Sequence, residues 1–144
     1  MHELPHHYEV SAEATSEGDV LLRGAGLPDL SSQAPSQFGG PGDRWSPESL
    51  LIAAIADCFT LSFRAIANAS KFPFVQMEVA ANGVLDMVER KMLFTEVQLT
   101  ANLTIPGGAD IEKAERLLSK AEQTCLITNS LSMECHLVCN VKNE

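Results

Sequence analysis

Along this 144-residue chain the spacing of apolar positions changes several times, and each change marks an element. Residues 7–24, "HYEVSAEATSEGDVLLRG", mix polar and apolar positions around the turn cluster Ser16-Glu17-Gly18-Asp19 and predict a β-hairpin. Residues 31–43, "SSQAPSQFGGPGD", hold two prolines and three glycines and predict a loop that closes over something or is held by a partner. In "SPESLLIAAIADCF", residues 46–59, Ser46 is the expected N-cap, Pro47 the first helical residue and Glu48 an acid in the first turn. Apolar residues lie almost all round between 50 and 61, so this helix is expected to be buried on most sides, by the sheet and a partner chain together. It should run to about Ala69, roughly 36 Å, before "KFPF" breaks it. Two strands follow, "FVQMEVAANGVLDMV" and "LFTEVQLTANLTI", the second placing Val97, Leu99, Ala101, Leu103 and Ile105 on one face. After Pro106-Gly107-Gly108, a second helix begins near Asp110, with Ile111, Ala114, Leu117, Leu118 and Ala121 at helical spacing, and stops close to Cys125. "CLITNSL" is then a turn leading into a short helical stretch, and "HLVCNVK" is the last strand. The pattern predicts one α+β domain over residues 1–144 with a long central helix, residues 1–7 forming a mobile tail.

Composition excludes more than it assigns. Hydrophobic residues make up 45% and charged residues 20%, an ordinary soluble balance. The longest uninterrupted apolar run falls short of the roughly 20 residues needed to cross a bilayer. No export signal is visible, so the cytoplasm is the expected location. The net charge is -9, from 19 acidic against 10 basic residues, with no cluster of Lys or Arg. Nucleic acid and membrane are therefore not expected partners, because phosphate is bound through clustered cations.

The chemistry-bearing residues are few. Cysteines stand at 58, 125, 135 and 139, and in a reducing cytosol a structural disulfide framework is not expected. Cys135 and Cys139 lie on an extended segment whose four-residue span is roughly 13 Å, too far for one metal ion or one disulfide, and are expected to face the core. His2, His6 and His7 fall in the tail and His136 in the folded body; no metal or cofactor is expected. Cys58 inside an apolar helix and Cys125 beside a polar turn each read, singly, as a small core side chain. Glu48 and Cys58 are ten residues apart, about 1000° of helical turn, so their faces are only loosely aligned. Spacing alone establishes no site.

The order of motifs adds what spacing lacks. From Ser46 to Phe59, S-P-E-x-L-L-x-A-A-x-A-x-C-F resembles the OsmC/Ohr family of thiol-dependent peroxidases. "FGG" at 38–40 is similar to that family's loop before the helix, and "AEQTCLITNSL" to its second-cysteine segment. The resemblance implies an intertwined homodimer, its long central helices packed between β-sheets, with active sites at the dimer interface. It maps the peroxidatic cysteine to Cys58, the resolving cysteine to Cys125 and the helix-opening glutamate to Glu48. The family's activating arginine has no match: its two usual positions fall on Ser16, Glu17 and Gly18, or on Gln37. This marks an atypical branch. Arg44, two residues before the N-cap and able to fold back towards Glu48, is the first candidate replacement and Arg23 the second; Arg64 is expected to point away from Cys58.

The implied reaction sets a requirement. A thiolate attacks a peroxide, yet a free thiol titrates near 8.5 and apolar burial raises it. Bringing it to about 6 takes roughly 3.4 kcal/mol, from a nearby cation or hydrogen-bond donors. Cys58 would then become a sulfenic acid and close a Cys58–Cys125 disulfide, reset by a dithiol reductant of the lipoyl type. Phe38, Phe59 and Phe63 would favour organic hydroperoxides over hydrogen peroxide. Two alternatives stand beside this reading. Acyl transfer at Cys58 would need a histidine base, for which only His136 is available. A dimeric apolar-ligand-binding module would use Cys58 and Cys125 as core filler.

Overall fold

The turn at residues 16–19 joins two strands, as the alternation predicts. In the computed structural model, which describes all 144 residues, the chain divides into two units, Met1–Leu50 and Leu51–Glu144. In the first, β1 (Ser11–Glu13) pairs antiparallel with β2 (Val20–Arg23), Ala12 opposite Leu22. Gly18 in the connection has φ 90, a left-handed conformation that costs a glycine little. β3 (Leu30–Ser32) adds to the other edge of β2. The sequence pattern does not reveal it: three residues, two of them serines, are defined by pairing rather than by alternation. The rest of the Pro/Gly-rich segment is loop, with one 3-10 turn at Ser36–Phe38. Gly40 is required there, since a Cβ would lie 1.7 Å from the Ala34 carbonyl oxygen.

α1 (Pro47–Ala69) starts where the sequence places it. Ser46 Oγ accepts the Ser49 N–H at 3.1 Å, and Ser49 Oγ accepts the Ser46 N–H at 2.9 Å. This reciprocal cap satisfies two otherwise orphaned donors, each worth about 1 kcal/mol. Ile55, Phe59, Phe63 and Ala67 recur every fourth residue and are fully buried. Burial is confined to that stripe: Leu61 is 49% exposed, and Asp57, Arg64 and Ala65 are exposed too. Within one chain the sheet covers this one helical face, and the cover expected from a partner chain is a separate contribution. By length and composition the 23-residue helix is also apolar enough to cross a membrane, which the count of uninterrupted apolar residues overlooks. Its inner stripe belongs to the core cluster built on the sheet.

β4 (Gln76–Val88) pairs antiparallel with β5 (Lys91–Ile105), and β6 (Glu134–Asn143) pairs parallel with β5 on its other side. A parallel neighbour needs a crossover, supplied by α2 (Ile111–Thr124) and the single turn α3 (Leu126–Asn129). Asp110 caps α2 by accepting the Lys113 N–H at 3.1 Å, and Ala114, Leu118 and Ala121 are its buried face. Val97, Leu99, Ala101, Leu103 and Ile105 are all at 1% exposure or less, so the predicted alternation is the core face of the central strand. Cys135 and Cys139 pack against this core from β6. β6 begins opposite Glu96, so β4 and β5 continue beyond it as a two-stranded arm whose Val84, Leu85, Met87, Val88, Met92 and Leu93 are exposed.

At Gly83, β4 lies against Ile52 of α1. A Cβ there would lie 2.4 Å from Ile52 Cδ1 and 3.2 Å from Phe94 Cε1. Gly83→Val is expected to lower stability by about 1–3 kcal/mol through overpacking. The urea midpoint measures it; an unchanged midpoint would mean that Ile52 gives way at no cost.

Candidate thiol site

Cys58 precedes core residue Phe59 and sits on the flank of the buried α1 stripe, itself only partly buried. Cys125 is 1% exposed and stands at the junction of two helices, C-cap of α2 and N-cap of α3, with extended backbone at φ -65 and ψ 108. That break in the helical path turns its side chain inward. The fold makes these two thiols, distant in sequence, neighbours that act on one another's titration.

Their surroundings differ. Burial pushes the Cys58 thiol up, the Ile127 amide opposes this, and the neighbouring Cys125 sulfur adds to the rise. The Ser62 hydroxyl, one turn along α1, lies 4.0 Å from Cys58 Sγ and opposes it weakly. Burial also pushes Cys125 up, but the Thr128 hydroxyl and amide, the Cys58 thiol and the Ile127 amide outweigh it. Cys125 is therefore held below the ordinary thiol range. Of the two sulfurs, Cys125 is thereby the better able to carry charge. Cys135 on β6 is pushed up to about 11 by burial and by Glu122, and so remains a thiol.

Elsewhere the predicted site residues divide. Glu48 lines an apolar cavity of about 600 Å³ with Val20, Leu22, Pro35, Phe38 and Leu50. Its Oε1 is buried without a hydrogen-bond partner. Arg44 does not fold back to it: Nε meets Asp19 Oδ2 at 3.0 Å and Nη1 meets Asp43 Oδ2 at 3.2 Å. Two carboxylates claim that guanidinium, and Arg44 followed by Gln33 holds the Asp19 carboxyl below its usual range. Arg23 bonds Glu13 across the hairpin at 2.8 Å, with Asp29 at 3.7 Å. Both arginines sit in exposed surface ion pairs, which solvent screens. Arg64 is exposed on α1.

Phe38 is 48% exposed at the cavity, whereas Phe59 and Phe63 are fully buried. Phe63 packs its ring 5.3 Å from that of Phe74. Phe59 and Phe63 are thus core residues rather than a surface ready to receive an alkyl tail, since they continue the inner stripe from Ile55. Thr128 and the amide of Ile127 were not foreseen as site groups. The sequence signal was present in "CLIT", where a helix capped by cysteine puts threonine at its third position, facing the cap.

The fold thus sets a partly buried thiol beside a buried one on a two-sheet α+β scaffold. Residues 40–140 match the family described as OsmC-like protein, and the chain belongs to that family. The peroxiredoxin OsmC of Escherichia coli (strain K12) is 27% identical over 138 residues, 91% of this chain and 95% of the relative. The uncharacterized protein YmaD of Bacillus subtilis (strain 168) is 22% identical over 143 residues, 95% of each chain. The crystal structure of an organic hydroperoxide resistance protein OsmC from Legionella pneumophila superposes with a TM-score of 0.75 at 26% identity, covering 97% of this chain and 99% of that one. The family reading of "SPESLLIAAIADCF" and the α+β expectation both hold.

Proposed function

We propose that this protein is a cysteine-based hydroperoxide reductase acting on organic hydroperoxides, and also on hydrogen peroxide. The observation that carries the reading is the meeting of Cys58 with Cys125. Cys58 attacks first, since its sulfur is the more accessible of the two. It reacts as its thiolate, while the Thr128 and Ile127 amides favour the anion of the Cys125 sulfur for the second step. The Cys58 sulfur then bonds to one peroxide oxygen, the O–O bond breaks, and the alcohol leaves with a proton. The resulting sulfenic acid is displaced by Cys125, releasing water and forming a disulfide that prevents over-oxidation. An external dithiol, of the lipoyl type, returns both sulfurs to thiols in a reducing cytoplasm.

Supporting the substrate class, one relative is named a peroxiredoxin and a structural neighbour an organic hydroperoxide resistance protein. The cavity beside Phe38 is apolar and suits an alkyl group. The working unit is an intertwined homodimer: the uncovered side of α1 and the exposed apolar arm of β4 and β5 are surfaces that a second copy would cover. The lone buried oxygen of Glu48 would find its donor there.

Mass spectrometry after one equivalent of cumene hydroperoxide tests the reading. A loss of two hydrogens, with the Cys58 and Cys125 peptides joined, is the expected result. An unmodified chain with both thiols free would overturn it and favour an apolar-ligand-binding dimer, which the same cavity would serve. Retained turnover in Cys125→Ser would instead indicate acyl transfer, with His136 the only histidine in the body of the fold to act as base.

A further inference from the structure

On the exposed side of the sheet, away from the thiols, β5 and β6 bring three ligand-type side chains together. The parallel register sets Glu96 opposite Glu134 and Gln98 opposite His136, so Glu96, Glu134 and His136 occupy one face of adjacent strands. One nitrogen or carboxylate oxygen from each lies within 4.8 Å of the others. His136 Nε2 stands 3.6 Å from Glu96 Oε2 and 3.6 Å from Glu134 Oε2. We propose that Glu96, Glu134 and His136 form a surface site for a zinc ion or a neighbouring late first-row divalent cation.

Three observations support a shared cation over a simple ion pair. First, 3.6 Å is too long for a hydrogen bond to either carboxylate. Those separations are close to the ligand-to-ligand edge of about 3.4 Å around an ion with bonds of roughly 2.0–2.2 Å. Second, every Lys or Arg ion pair in the chain involves Arg23 or Arg44, so the two glutamates meet no basic side chain but His136. Third, Cα pairing in the ladder fixes the three positions, so little backbone entropy opposes binding. One imidazole nitrogen with two carboxylates is a borderline set, suited to zinc, nickel or copper rather than to calcium or magnesium. Water would fill the remaining positions, as the side chains are 53%, 48% and 77% exposed for His136, Glu96 and Glu134. A bound ion would fasten the start of β6 to β5, on the face opposite Cys135.

The test is a Zn²⁺ titration of the full-length protein, followed by long-range ¹H–¹⁵N correlation of the histidine rings, with His136 assigned through His136→Asn. The His136 Nε2 signal is expected to shift and to saturate at one equivalent per chain. Glu96→Gln and Glu134→Gln should each weaken binding at least ~10-fold, the low end of the loss from removing even an outer partner of a ligand. Circular dichroism should be unchanged, since all three side chains are exposed. Zn²⁺ that perturbs only His2, His6 and His7 or the thiols, with the His136 ring unmoved, would overturn the proposal. So would glutamine variants that bind as tightly as wild type. Neither readout depends on hydroperoxide turnover, so this site and the dithiol reaction stand or fall separately.

Discussion

Cys58→Ser is expected to abolish hydroperoxide consumption, by ~10³-fold or more, as when an enzyme loses its nucleophile. A serine hydroxyl does not ionise near neutral pH and cannot form a disulfide with Cys125. Cys125→Ser should behave differently. It keeps the first step, consumes about one equivalent of peroxide per chain and then stalls as a sulfenic acid on Cys58, which dimedone traps. Stopped-flow single turnovers in the two variants separate the roles. The reverse pattern, with turnover surviving in Cys58→Ser and a dead first step in Cys125→Ser, would exchange them. The pH dependence supplies a second readout. Burial, and then the Cys125 sulfur, push the Cys58 thiol up, so the wild-type single-turnover rate should climb as pH rises through the thiol range. Removing Cys125 removes one cause of the rise, so the profile of Cys125→Ser should move to lower pH. Movement to higher pH would mean that Cys125 acts chiefly as the proton acceptor for Cys58.

How much of this was legible in the sequence depends on how local each cause is. The core face of β5 was readable, because strict alternation over Val97–Ile105 has one structural meaning when both flanking strands are supplied by the same fold. The start of α1 was readable too, since cap chemistry acts over three residues. Which face of α1 the sheet takes was not. Alanine and cysteine at 53, 54, 56 and 58 count as apolar all round the helix, although the large side chains Ile55, Phe59 and Phe63 mark one stripe. Weighting by size would have sent both phenylalanines inward. The fate of Arg44 was illegible because its partner Asp19 lies 25 residues earlier, across a loop whose path no local pattern sets. Bringing Cys58 to Cys125 rested on resemblance, as the contact depends on how the β5–α2–β6 crossover lies over α1. The donors that lower Cys125 include two backbone amides, which every sequence contains and none advertises.

Phe59→Ala should cost about 3–5 kcal/mol of stability, the range for emptying a fully buried aromatic site. Phe59 has 0% exposure in a stripe between Ile55 and Phe63, and the opposing strand offers Val97, Leu99 and Ala101, which cannot expand to fill the void. For a chain of this length such a loss lowers the melting temperature by roughly 10 °C or more. Phe38→Ala is the matched control, for Phe38 is 48% exposed and its truncation should barely move the melt. The same two variants distinguish a core phenylalanine from a substrate-binding one. At temperatures where both stay folded, Phe38→Ala should raise KM for cumene hydroperoxide more than for hydrogen peroxide, because it shortens the apolar wall beside Glu48. Phe59→Ala should leave that ratio unchanged while lowering the melt. A Phe59→Ala protein with wild-type stability and a selectively raised KM for cumene hydroperoxide would return Phe59 to the substrate and contradict its place in the core.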